Sequence, residues 1–236
     1  MSRSQRTKPD RTGQLEIFPT PSWPVHRLLD RLNPRPGHWF EPAAGEGHIV
    51  RAVDDWLSSR GRKNDITWTT TDIRSTPYAQ PPADMTKAVH PFVNLTFDVV
   101  LTNPPFSKAQ AMFEVCWPLV KRALVFLLPV SWLGSGDRAV LLREFTPNLF
   151  VLPERPIFRG CGTDCETYGW FVFSRKLQSL PVDFGTLCIL PPTPVGARRA
   201  SEADAFAQMP AEWHREAEAQ REEQRARARA RRGKKP

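Results

Sequence analysis

The chain has 236 residues, enough for one core domain with extensions or for two small domains, and 40% of them are apolar, enough for a buried core. Lys and Arg number 33 against 25 Asp and Glu, a net charge of +8, which suits a polyanionic partner and suits a solvated basic surface equally. The longest apolar block, Ala123–Val130, is too short to cross a bilayer and the first residues carry no apolar run of a secretory signal, so a cytoplasmic protein with no membrane partner is expected.

Residues 1–17 read as a basic N-terminal arm. Pro21–Asn33 then sets Val25, Leu28, Leu29 and Leu32 on one helical face and stops at a Pro-Arg-Pro-Gly break. Gly37–Val50 reads as a short strand, a glycine-containing turn and the start of a helix. That helix continues through Val53, Trp56 and Leu57, with Gly61 as its C-terminal cap. Asp65–Ile73 is rich in β-branched residues and reads as a strand ending at an acid. A loop follows, and Phe97–Thr102 is a third strand. Ser107–Arg122 has helical spacing interrupted near Pro118. Ala123–Val130 reads as a buried strand, Asp137–Phe145 as a short helix, and "NLFVLPE" and "ETYGWFVFSR" as two more strands. Strands alternating with helices over about residues 35–175 argue an α/β domain with a mostly parallel sheet.

Beyond Arg175 the pattern weakens. Residues 176–200 read as a short extension and Pro-rich linker, with room for one strand. Residues 201–236 form a charged, Ala-rich, partly helical basic tail. Its arginines, spaced by two, would ring a helix, so the tail reads as a flexible arm that neutralises phosphates or simply keeps the chain soluble. Of four cysteines only Cys161 and Cys165 are close, and no second Cys or His pair stands at a zinc spacing, so no metal is expected.

Two stretches carry chemistry. In "FEPAAGEGHI" an acid, Glu41, precedes a turn whose glycines, Gly45 and Gly47, let backbone approach a ligand closely. The spacing is not the dinucleotide fingerprint, and an acid there would repel a pyrophosphate. A cationic nucleoside fits better, with Asp72 at the next strand end for ribose hydroxyls and Asp84 for an adenine amino group. In "FDVVLTNPPFS", Pro104 lacks an N–H and cannot continue a strand ladder, and it biases the residue before it to extended geometry. Asn103 is thereby held stiffly at a strand's carboxyl end, where ligand crevices of open α/β sheets lie. Its side-chain oxygen and the Pro104 carbonyl are two acceptors, and Phe106 is a flat plate beside them. Together they suit a planar heterocycle with an exocyclic amine. Accepting both amine hydrogens favours a pyramidal nitrogen whose lone pair can attack an electrophilic methyl, without a strong general base.

The segments "EPAAGEG", "TTTDI", "ADMTK" and "DVVLTNPPF", with "IFPTPSWPVHRLLDRL" upstream, resemble the S-adenosylmethionine-dependent N6-adenine DNA methyltransferases, and in particular the small ones carried by phages and prophages. The resemblance covers about Phe18–Ser174. It implies a Rossmann-like, seven-stranded, mostly parallel sheet whose last strand is antiparallel, with "YGWFVF" in that last hairpin, and a catalytic domain over 18–175. It also implies S-adenosylmethionine as cofactor and adenine-containing DNA as partner. By motif, Thr20 and Pro21 would contact the methionine part of the cofactor, and Glu41, Pro42, Ala43, Gly45 and Gly47 its amino-acid and sugar end. Asp72 and Ile73 would hold the ribose, and Asp84 and Met85 the adenine. Asn103, Pro104, Pro105 and Phe106 would form the catalytic corner, with Phe106 stacked on the target base. Glu41 stands where many members have Asp.

No large target-recognition domain is present in the sequence, so readout would fall to Ser107, Lys108, Arg155, Arg159, Arg175 and the basic tail, and a short target site is expected. The same corner also serves enzymes that methylate glutamine in proteins or bases in RNA. Phe at position 106, Thr20-Pro21 and the basic tail favour DNA. A non-catalytic nucleic-acid binder on this fold would be expected to lack the acids or Asn103, and all are present.

Overall fold

The computed structural model describes residues 18–158, 166–175, 185–215, 218–219 and 222. Residues 1–17, Arg159, Cys161 and Cys165 lie outside the described residues, as does most of the tail beyond residue 215. The elements run α1 (Ser22–Leu32), β1 (Gly37–Glu41), α2 (His48–Ser58), β2 (Ile66–Thr70), β3 (Phe97–Thr102), α3 (Ala109–Cys116), β4 (Val120–Pro129), α4 (Ala139–Glu144), β5 (Asn148–Val151), β6 (Tyr168–Ser174), β7 (Leu187–Ile189) and α5 (Val195–Ala207). The seven strands form one sheet in the order β2-β1-β3-β4-β6-β5-β7.

Alternating side chains divide the strands between two layers of helix. Trp39, Val99, Val125, Leu127 and Trp170 face α1 and α2, while Phe40, Val100, Leu124, Phe126 and Phe171 face α3 and α4. Both faces are covered, which is why β3 and β4 read as unbroken apolar runs. Gly61 closes α2 as expected: it takes φ 69°, and the Arg62 N–H reaches back to the Leu57 carbonyl at 2.9 Å.

The expected α/β sheet is present. β6 is the reversed strand, antiparallel to β4 on one side and to β5 on the other. It is followed in the chain by β7, parallel to β5 at the margin. The seventh strand therefore comes from beyond residue 175, and segment 176–200 supplies sheet as well as linker. The line drawn at 200 falls inside α5, which packs against α1. Val120–Arg122, expected in a helix, belong to β4: Pro118 sits in a 3-10 turn that ends the helix, and Val120 pairs with Phe97. Among the described residues no helix is long and apolar enough to cross a membrane.

Two contacts place the segment before α1. The buried Trp170 indole donates to the Pro24 carbonyl at 2.9 Å, and the Trp23 indole reaches Glu202 at 3.4 Å. The first holds the start of α1 against the sheet and the second ties it to α5, and Phe18 and Thr20 meet Asn103 just past the end of β3.

Candidate active site at the carboxyl ends of the central strands

The chain leaves β1 for β2 on one side and returns to β3 on the other, so the crevice lies where the strand order reverses. Glu41 ends β1 at its centre, 2% exposed. The Val50 backbone in the first turn of α2 lies against its carboxyl. Its Oε2 is buried with no partner. Loss of water, and then the nearby Asp72 carboxylate, push the Glu41 carboxyl well above the usual glutamate range, with Val50 and Arg51 pulling it part of the way back. An acid this deep, with one oxygen open, is matched to a cation. Pro42 and Ala43 continue the same wall.

Asp72 follows β2 and ties the turn together. Its Oδ2 accepts from the Gly45 N–H at 2.8 Å, and its Oδ1 from the N–H and Nε of Arg74 at 2.9 and 3.0 Å. Oδ2 keeps one acceptor site for a ribose hydroxyl, while Arg74 fills both sites of Oδ1. The two glycines differ. Gly45, at φ 53°, faces the crevice, and a Cβ there would stand 3.3 Å from Arg74. Gly47, at φ 77°, lies under the Tyr78 ring, which a Cβ would strike. Gly47 therefore leaves room for a tyrosine, not for a ligand, and is not part of the crevice wall. Ile73, 55% exposed, offers an open apolar face to the crevice. Asp84 and Met85 lie on the adjoining wall. Asp84 Oδ1 accepts from the Thr86 N–H at 3.0 Å and hydroxyl at 2.6 Å, and the hydroxyl bond holds its carboxyl below the usual aspartate range.

Asn103 follows β3 and is 9% exposed. Its Nδ2 lies 3.0 Å from Thr20 Oγ1 and 3.3 Å from the Phe18 carbonyl. A carbonyl only accepts, so the atom facing Phe18 must be the nitrogen, and this fixes the carboxamide's orientation. Oδ1 is turned the other way, buried and without a partner. Asn103, Thr20 and Glu41 line the same crevice. Pro105 reaches that wall, while Pro104 is buried beneath it. Pro21 precedes α1 as its N-cap and is not in the wall.

Phe106 does not face the crevice. Phe18 stacks on it, with ring centroids 4.6 Å apart and planes at 14°, and it is Phe18 that lines the crevice. Phe158 and Tyr168 complete an aromatic group behind this pair. The stacking face expected to be open for a base thus holds a phenylalanine from the segment before α1.

Of the expected nucleic-acid contacts, Ser107 and Lys108 are exposed at the crevice mouth, and Arg155 is exposed on the loop after β5. Arg175 is misplaced by the sequence reading. Because β6 runs backwards, its last residues lie beside the start of β4, at the far end of the sheet. There Arg175 lies over the Trp117 ring at 4.6 Å and donates to the Trp117 carbonyl. Arg74, His48, Met112 and Met209 are among the wall residues that escaped the sequence reading. The first two adjoin expected residues and were within reach of it; Met209 lies more than a hundred residues from any motif and gives no local signal.

No protein-family model matches the chain, and no curated protein matches it by sequence. Solved structures match it in fold. A Listeria monocytogenes protein described as a class I S-adenosylmethionine-dependent methyltransferase has a TM-score of 0.51 at 14% identity, over 79% of this chain and 68% of that one. A Vibrio vulnificus protein described as a modification subunit of a type I restriction enzyme gives 0.51 at 17%, over 74% and 47%. The M protein of the type I restriction enzyme EcoKI gives 0.52 at 14%, over 71% and 46%. The chain spans about half the length of these two restriction subunits. The fold is the Rossmann-like fold of class I methyltransferases.

Proposed function

We propose that the chain transfers a methyl group from S-adenosylmethionine to the N6 amino group of adenine in DNA. One observation carries the reading: a carboxamide fixed through its nitrogen, with its buried oxygen open, shares a crevice with a buried glutamate that also has an open oxygen. The fold it shares with modification subunits of restriction enzymes supports it.

The residues present fit this cofactor. Glu41 Oε2 would meet the ammonium, Asp72 the ribose, and Ile73, Asp84 and Met85 the adenine, with Thr20 beside the methionine part. Bound S-adenosylmethionine supplies a methyl group made electrophilic by its sulfonium. Asn103 Oδ1 accepts one hydrogen of the target amine and the Pro104 carbonyl the other, which localises the nitrogen lone pair for in-line attack. The Phe18 carbonyl keeps the carboxamide from flipping, Thr20 anchors its nitrogen, and burial keeps water off its oxygen.

In duplex DNA the adenine must leave the stack, at a cost of a few kcal/mol. Stacking on Phe106 would return about 1–3 kcal/mol. Phe18 holds that place, so the incoming base must displace it, and part of this gain goes to breaking the Phe18–Phe106 pair. Ser107, Lys108 and Arg155 would meet phosphates around the flipped nucleotide.

The test is methyl transfer from labelled S-adenosylmethionine to three substrates: adenine-containing duplex DNA of random sequence, structured RNA, and a glutamine-containing peptide. Label is expected in N6-methyladenine of the DNA. Label confined to RNA or peptide would overturn the substrate. Sequencing DNA from cells expressing the protein would give the target site.

A further inference from the structure

The C-terminal segment, read from sequence as an arm for phosphates, enters the crevice. α5 runs across α1, and the chain then turns at Gln208–Met209, with the Met209 N–H on the Phe206 carbonyl at 3.1 Å. The turn drives the Met209 side chain, 5% exposed, into the wall that also holds Glu46 and His48.

Three sets of contacts hold it there. The His48 Nε2–H donates to the Ala205 carbonyl at 3.0 Å, and Arg51 donates to the Gln208 side chain, so the first turns of α2 grip the end of α5. Loss of water brings the His48 imidazole down to about 4, leaving it neutral near pH 7, with Nε2 as donor toward Ala205. At the other end, Ser22 and Ser201 are 2.9 Å apart, and the Trp23 N–H reaches the Ser201 hydroxyl at 3.2 Å. From behind, His214 Nε2 donates to the Met209 carbonyl at 3.0 Å, and its ring meets Phe206 edge-on at 4.7 Å. Methionine is unbranched and polarisable, suited to a wall that adapts to an apolar ligand surface.

We infer that Met209 is a cofactor-binding residue and that α5 is the brace that holds it in the S-adenosylmethionine site. The inference rests on the proposed cofactor. It gives the chain beyond residue 190 a task in holding a small molecule, separate from any contact with nucleic acid.

The experiment is equilibrium binding of S-adenosylmethionine and S-adenosylhomocysteine to the full chain, to Met209→Ala and to Met209→Leu. Truncating the thioether should weaken both ligands about tenfold. Leucine should restore affinity to within about threefold. In hydrogen exchange on the unaltered chain, amides of 197–209 should slow when S-adenosylhomocysteine binds, and this readout stands even if a variant fails to fold. Affinity of Met209→Ala within about twofold of the unaltered chain, or unchanged exchange in 197–209 under saturating ligand, would overturn the inference while leaving the proposed function intact. An unaltered chain that binds neither ligand would instead sink the proposed function itself, and this inference with it.

Discussion

Where β3 and β4 begin, Arg122 pairs with Asp98 at 3.2 Å, Asp98 also accepts the His38 N–H at 2.8 Å, and Arg175 is folded onto Trp117. At the carboxyl ends of β1 and β3, Glu41 and Asn103 are more deeply buried, yet each keeps an oxygen with no partner. At one end Arg122 and Arg175 close on their neighbours, although Ser174 Oγ is also buried there without a partner; at the other, two unpartnered acceptors belong to residues that line one crevice. Leaving a buried acceptor open costs about 1–3 kcal/mol, so such groups mark a place where a ligand makes good the missing bond. At the far end Arg122 and Arg175 are already committed.

The sharpest way to break this contrast is Asn103→Ala. It removes the open oxygen and should cut methyl transfer by about 10²–10³-fold or more, while a titration of S-adenosylmethionine shows affinity nearly unchanged. Transfer at close to the unaltered rate would end the role given to Asn103.

Glu41→Gln comes next. It keeps the shape but removes the charge, and cofactor affinity should fall about tenfold to a hundredfold, read by calorimetry. Its effect on stability has the opposite sign. The folded carboxyl holds its proton at a pH where the unfolded one has lost it, so stability falls as pH rises from the ordinary value near 4.5 through the raised one. The ligand-free Gln variant should therefore melt higher than the parent at neutral pH, with the gap closing in acid below about pH 4.5. A gap that widened in acid would contradict the burial cause.

Thr20→Val tests orientation. Without the hydroxyl the carboxamide keeps only the Phe18 carbonyl, and kcat should fall about tenfold, an energy near 1.4 kcal/mol, with the cofactor constant little moved. The smallest effect belongs to the far end. Arg175→Ala should lower unfolding stability by about 1 kcal/mol through the lost ring and carbonyl contacts, and should leave DNA affinity as it was. A large loss of DNA binding would show that the far end is not closed after all.

The strands that build the site were legible because their residues state the outcome locally. The limits of β3 follow from an apolar run stopped by Pro104, and Glu41 and Asp72 end strands that β-branched and aromatic residues define. What stayed hidden depends on partners distant in sequence. β7 is three residues with exposed Leu187 and Ile189, too short for a period, and it is a strand because β5 accepts it. α5 meets α1 through Ser201 and Glu202 rather than through an apolar stripe, so nothing in its own pattern announces a docked helix. Phe18 covering Phe106 is hidden for the same reason: the motif shows a flat ring but not what already lies on it.

The indole of Trp170 on the Pro24 carbonyl gives the molecule a fulcrum. From there the chain runs back through Pro21 to Phe18 and Thr20, which hold the Asn103 carboxamide by its nitrogen. A change in the middle of β6 is therefore expected to reach that amide group through the first turn of α1. Alignment of the reacting nitrogen can loosen with the pocket's own side chains untouched.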